Sequence, residues 1–124
     1  MLMDTSRFLK LVQEAMEELP DEFRQALKYI HVDVEDWPDP ELLERLGYGK
    51  GALLLGLYHG VPLTKRRGWS LPGMPDRIVI YKGPIEKVCS SDEEIKEKVR
   101  TTVLHEIGHL FGLDDQKLKE DGYG

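Results

Sequence analysis

The hydrophobic pattern of this chain predicts helices towards both ends. Apolar residues recur at helical spacing over residues 5–19 and over residues 91–111, which is typical of helices with one buried face. In the second stretch the apolar stripe consists of Ile95, Val99, Val103 and Ile107. Ser91 and Glu94 stand before this stripe at the spacing of a capping box, so we expect the long helix to begin there. A short helix is predicted over residues 20–27, where a proline precedes two acidic residues.

Between these helices the pattern changes to that of β-strands. Over residues 29–36 the aliphatic residues alternate with His, Asp and Glu, which predicts a strand with one solvated face. Residues 52–58 are a short apolar run, interpreted as a buried or edge strand. Residues 77–81 form a third predicted strand, and we expect Gly83-Pro84 to close it with a break in regular structure.

The order of these elements predicts a single α+β domain over residues 1–124, in which a small mixed sheet packs against the long C-terminal helix. The chain has 40% hydrophobic and 32% charged residues, which suits a globular domain. No stretch approaches the ~18 apolar residues of a membrane span, and no secretory signal pattern is evident. A single cysteine, Cys89, excludes an internal disulfide. These features favour a cytoplasmic setting without a membrane partner.

The charge balance argues against a nucleic-acid partner. The chain carries 17 Lys and Arg against 23 Asp and Glu, a net charge of −6. A surface of this sign repels phosphate unless a local basic patch overcomes the repulsion. The short basic cluster of Lys65, Arg66 and Arg67 lies between prolines and glycines, so we interpret it as a solvated loop. We therefore expect no nucleic-acid partner.

The strongest chemical signal lies near the end of the long helix, in the sequence His105-Glu106-Ile107-Gly108-His109. Residues four apart lie one above the other on a helix face, so both histidines can reach one Zn²⁺ at about 2.0–2.1 Å. The glutamate points away from the two ligands but stays close enough to contact a water on the metal. This H-E-x-x-H arrangement predicts a zinc site in which Glu106 is the general base.

A third ligand is required, because a catalytic zinc has three protein ligands and an open fourth position. Gly112 follows His109 by three residues, and glycine at such a position ends a helix and reverses the chain. The reversal brings Asp114 and Asp115 back towards the metal. Asp115, ten residues after His105, is the predicted third ligand, and Asp114 is the alternative.

The motif from His105 to Asp115 resembles the extended zinc signature of the zincin metallopeptidases, in the variant with aspartate as third ligand. Residues 56–62 (GLYHGVP) and 75–81 (PDRIVIY), in that order before the helix, resemble the small bacterial zincin-like metallopeptidase family. The resemblance covers residues 19–116. It implies a minimal zincin fold, in which an edge strand lies over the metal cleft. In larger zincins that strand pairs with an extended peptide.

The resemblance also implies an activity, that of a zinc-dependent peptidase acting on a peptide or protein substrate. Zn²⁺ held by His105, His109 and Asp115 would polarise the scissile carbonyl and acidify its bound water. Glu106 would take the water proton and deliver it to the leaving amine. Gluzincins take a later glutamate as third ligand, for which Glu120 is the one candidate. The candidates for stabilising the oxyanion are Tyr58, His59, Arg77, Tyr81 and Tyr123.

Two other functions compete with peptide hydrolysis. A family of small zinc-dependent endoribonucleases spaces its ligands similarly, but its third ligand is histidine and no glutamate follows the first. Glu106 and the net charge of −6 argue against that function, whereas Lys65-Arg66-Arg67 favours it. The second alternative is a zinc-containing module that binds peptides without cleaving them, since so few residues can leave the substrate cleft incomplete.

Overall fold

A computed structural model describes residues 3–28, 30–49, 53–59 and 77–110, with the side chains of residues 109 and 110 outside the description. Eight elements follow one another along these residues. The helices are α1 (Thr5–Glu17), α2 (Asp21–Ala26), α3 (Pro40–Arg45), α4 (Lys82–Val88) and α5 (Asp92–Leu110). The strands are β1 (His31–Glu35), β2 (Gly56–His59) and β3 (Arg77–Tyr81). None of the helices in these ranges has the length and apolar character needed to traverse a bilayer.

The three strands form one sheet in the order β1-β3-β2. β1 runs parallel to β3, with Val32 opposite Ile78, whereas β2 is antiparallel to β3, with Tyr58 opposite Ile78. The sheet is therefore mixed, and among the described residues β2 lies at one of its edges. This arrangement confirms the predicted α+β class and the small mixed sheet.

One face of the sheet and the two long helices share the main hydrophobic core. Alternate residues of a strand point to opposite faces, so Ile78 and Ile80 of β3 face this core while Val79 and Tyr81 face the other way. Ile78 and Ile80 are fully buried against α1 and α5. The two long helices contribute to this cluster the buried residues Phe8, Leu11, Val12, Ala15, Ile95, Val99, Val103 and Ile107. The predicted apolar stripe of the long helix is confirmed.

The start and the orientation of α5 are set by polar contacts. The Ser91 hydroxyl accepts a hydrogen bond from the Glu94 backbone N–H at 3.2 Å, as a capping residue does. The Glu94 carboxylate in turn accepts from the backbone N–H of Ser90 at 2.6 Å, one residue before the predicted partner. Further along, Glu18 at the end of α1 pairs with both Lys96 and Arg100 of α5. These surface contacts join the end of α1 to α5, whose apolar faces pack in the core.

Helix α4 stands where Gly83-Pro84 predicts a break after the third strand. The helix begins directly after β3, and Pro84 is tolerated in its first turn because the N–H groups there have no intrahelical acceptor. The Gly83 N–H donates to the Asp36 carbonyl at 2.8 Å. A Cβ on Gly83 would lie 2.2 Å from Trp37 Cε2, so the ring requires glycine at this position.

The second strand is shorter than predicted and shifted along the chain. The apolar run predicted a strand over residues 52–58, whereas β2 covers Gly56–His59 and residues 53–55 precede it. Hydrophobicity alone does not mark where a strand begins, because the ends are set by pairing. Here β2 pairs with β3 from Gly56 opposite Ile80 to His59 opposite Arg77.

Candidate functional site

Helix α5 carries the first part of the predicted motif in regular helical structure. The helix runs through Leu110, so positions 105 and 109 lie about one turn apart on the same side of it. His105 is half-buried, outside the fully buried core. The helical backbone therefore provides the spacing that two histidine ligands of one metal require.

Glu106 is the buried acid of this site. Its side chain is only 6% exposed, although glutamate is rarely this buried unless it has polar partners. The backbone N–H of Tyr58 in β2 donates to Glu106 Oε1 at 2.8 Å. A charge-assisted hydrogen bond of this kind fixes the orientation of the carboxylate. The contact joins α5 to the edge strand across 48 positions of sequence.

The register of β2 explains why the Tyr58 N–H is available. Just before the strand, the Tyr81 N–H donates to the Leu55 carbonyl at 2.9 Å. In an antiparallel pair the hydrogen-bonded and non-hydrogen-bonded positions alternate. Leu57 and His59 thus direct their backbone groups towards β3, while Gly56 and Tyr58 direct theirs outward. The Tyr58 N–H meets Glu106 on that outer side.

The third predicted ligand lies outside the described residues. This holds for Asp115 and for its alternatives Asp114 and Glu120. Within the described ranges no group of three His, Cys, Asp or Glu side chains has the geometry of a metal site. The donor set nevertheless fits zinc chemically, since α5 brings two imidazole positions into register and zinc accepts imidazole and carboxylate ligands.

The oxyanion candidates separate onto the two faces of the sheet. A Cβ on Gly56 would point at α5. Tyr58 lies two residues later in the strand, so its side chain faces the same helix. This side chain packs against the main core. The alternation places His59 on the opposite face, together with Arg77 and Tyr81 of β3. Tyr123 lies outside the described residues. Among the described candidates, Tyr58 shares the face of α5.

Arg77 and Tyr81 have other environments. Arg77 pairs with Glu35 at 3.2 Å and with Asp33 at 3.7 Å on the exposed side of β1. Tyr81 is fully buried, and burial raises the pKa of its phenol, with a further increase from Glu35. Burial likewise raises the pKa of the Cys89 thiol, as is typical of a buried structural cysteine rather than a nucleophile.

His59 is an unusual histidine on the face away from α5. Its Nε2 atom is buried and has no hydrogen-bond partner among the described residues. Burial lowers the pKa of the imidazole, and the charge of Arg77 lowers it further, against the opposing effect of Glu35. The folded protein therefore favours the neutral ring.

We expect His59 to make the fold sensitive to mild acid. Above the ordinary pKa of 6.5 the ring is neutral in both states and contributes no pH dependence. Below it, the unfolded chain takes up a proton that the folded state resists, so the free energy of unfolding decreases as the pH falls through the lowered pKa. Urea unfolding between about pH 7 and about pH 5 measures this loss, which His59→Gln should reduce. The exposed His31→Gln is the control, and equal acid sensitivity in the parent and His59→Gln would contradict the expectation.

Sequence reasoning missed the contribution of the β2 backbone to the site. The Tyr58 N–H is a backbone group, so no residue type in the sequence reveals its role. Only the strand register shows that it points towards α5. One signal was present in the chain: Gly56 lies inside an apolar strand pattern, and glycine there often marks a close approach of another element.

Comparisons with known proteins agree with this geometry. The family model for zincin-like metallopeptidases matches residues 27–123, a range that includes the whole predicted motif. Among solved structures, a conserved hypothetical protein from T. thermophilus is similar, with 28% sequence identity and a TM-score of 0.56. The similarity covers 86% of this chain and 92% of that one. No curated protein matches the chain significantly.

Proposed function

Because the chain belongs to the zincin-like metallopeptidase family, we propose that it hydrolyses peptide bonds as a zinc-dependent metallopeptidase. The observation that carries this proposal is the environment of Glu106. A glutamate directly after the first candidate ligand is buried to 6% exposure and accepts the Tyr58 N–H at 2.8 Å. An oriented carboxylate beside a metal position is what a general base requires.

The proposed zinc ligands are His105, His109 and Asp115, with Asp114 and Glu120 as alternatives for the third position. When bound, zinc supplies Lewis acidity, which polarises the scissile carbonyl and makes water more acidic. The half-buried His105 and the helical register of position 109 support the first two ligands. The match of the family model through residue 123 supports a ligand beyond α5.

The proposed role of Glu106 is proton transfer. Its carboxylate takes a proton from the attacking water and later delivers it to the nitrogen of the leaving amine, so one group serves as base and then as acid. The Tyr58 N–H binds one carboxylate oxygen and so limits rotation about the end of the side chain. Low exposure strengthens this hydrogen bond because less water competes for the carboxylate.

The outer edge of β2 is the proposed site for the peptide substrate. The backbone carbonyls of Gly56 and Tyr58 point away from β3, as the register shows, and an extended peptide can pair with such an edge. The Tyr58 N–H is already used by Glu106. We therefore propose that the peptide pairs with the outward Gly56 carbonyl and lies directly beside the catalytic carboxylate.

A two-substrate assay tests the proposed function. The purified protein is loaded with zinc and incubated with an unstructured casein-like protein and with single-stranded RNA, each with and without a chelator. We expect hydrolysis of the protein substrate alone, and we expect the chelator to abolish it. Chelator-sensitive cleavage of RNA alone would identify the endoribonuclease instead. Bound zinc with no hydrolysis of either substrate would indicate the non-catalytic peptide-binding module.

A further inference from the structure

Helix α5 and strand β2 lie close together at Gly56. A Cβ placed on this glycine would lie 2.5 Å from the Thr102 side-chain methyl Cγ2. It would also lie 3.1 Å from the Val79 carbonyl oxygen of the neighbouring strand. The residue is buried, and a side chain larger than hydrogen fits there only if the Thr102 side chain turns away or the helix and the sheet move apart.

Space, rather than backbone conformation, is the reason for glycine at this position. Among the described glycines, Gly47 is the one with a positive φ, of 85°. Gly56 lies in a regular strand, where any residue can adopt the backbone angles. The small size of Gly56 therefore allows α5 to lie close to β2.

The approach brings Glu106 to the Tyr58 N–H. Tyr58 follows Gly56 by two residues, a rise of about 6.6 Å along a strand. Glu106 follows Thr102 by four residues, a rise of about 6.0 Å along a helix. Because the two rises are nearly equal, the Gly56–Thr102 contact and the Tyr58–Glu106 hydrogen bond are successive contacts of the same pair of elements. Separation at the first contact therefore lengthens the second.

We propose that Gly56 is a positioning residue, whose contact with Thr102 sets the helix-to-strand distance at which the Tyr58 N–H holds the Glu106 carboxylate. The catalytic consequence rests on the proposed function, whereas the structural consequence does not. Both candidate histidines belong to α5 and move with it, so zinc binding is expected to be less sensitive to this distance than the orientation of Glu106.

The test substitutes Gly56→Ala and observes the Tyr58 amide directly by NMR of ¹⁵N-labelled protein. We expect an upfield shift of its amide proton and faster hydrogen exchange, with the zinc stoichiometry unchanged. In a peptidase assay we expect kcat to fall about 10- to 100-fold, with a smaller change in KM. The double variant Gly56→Ala/Thr102→Ser lacks the methyl group that the new Cβ would meet, so it should recover much of the amide signature and of kcat.

Gly83→Ala is the matched control, because a Cβ there would also collide with a neighbour, the Trp37 ring. It should lower stability without altering the Tyr58 amide. The proposal is overturned if Gly56→Ala leaves that amide unchanged, or if the Thr102→Ser change restores nothing. A parent protein without peptidase activity would refute the proposed function, whereas the amide measurements would still decide the role of Gly56.

Discussion

Glu106→Gln is expected to bind zinc as the parent does and to hydrolyse peptides at least about 100-fold more slowly, since general bases contribute about 10²- to 10⁴-fold. Glutamine keeps the shape of the buried side chain, and its carbonyl oxygen can still accept the Tyr58 N–H that now reaches Glu106 at 2.8 Å. It lacks the basicity to take a proton from water. The loss should therefore appear in kcat, while the fold and the metal content are preserved.

The measurement combines steady-state kinetics with metal analysis of the same preparations. Glu97→Gln is a suitable control, because Glu97 is an exposed carboxylate on the same helix and the substitution removes the same charge. It should leave kcat near the parent value. Turnover by Glu106→Gln at the parent rate on a verified substrate would refute the role of this residue as the base.

His105→Ala is expected to weaken zinc binding by more than about 100-fold. Loss of a residue that merely hydrogen-bonds to a zinc ligand already costs about 10- to 100-fold in affinity, and loss of the ligand itself should cost more. The substitution leaves two protein donors where a catalytic zinc needs three. His105 is half-buried rather than in the core, so the fold should survive. Activity should disappear together with the metal.

Competition with a chromophoric chelator measures the affinity of each variant for zinc. His31→Ala is the control, since His31 is an exposed residue of β1 and its loss should not change zinc binding. Parent affinity in His105→Ala would contradict the proposed centre. The same titration of Asp115→Asn, Asp114→Asn and Glu120→Gln identifies the carboxylate ligand, because the variant that lacks the true ligand is the one with weakened binding.

Much of the local structure followed from periodicity and capping. The four-residue apolar stripe of α5 is buried as predicted, and the Ser91 hydroxyl caps the helix. The alternation in β1 matches its exposure, with His31, Asp33 and Glu35 exposed. These features were predictable because each depends on residues within a few positions of one another.

The errors arose where distant segments decide the outcome. The bounds of β2 depend on its pairing with β3, and the hydrophobicity of a segment does not show which strand it pairs with. Helix α4 begins where Gly83 and Pro84 predicted a break, because Trp37 packs on Gly83 and Asp36 accepts its N–H. Both partners lie more than forty positions earlier in the chain.

The chain's own residues predicted the chemistry: the proposed roles of His105, Glu106 and His109 follow from their spacing on a single helix, which is a local property. The folded arrangement alone showed that Glu106 is buried against β2 and held by the Tyr58 N–H, and that Gly56 makes room for the approach. The physical reason is that the register of a helix depends only on residues three or four positions apart. The distance between a helix and a strand arises only when segments far apart in sequence pack together.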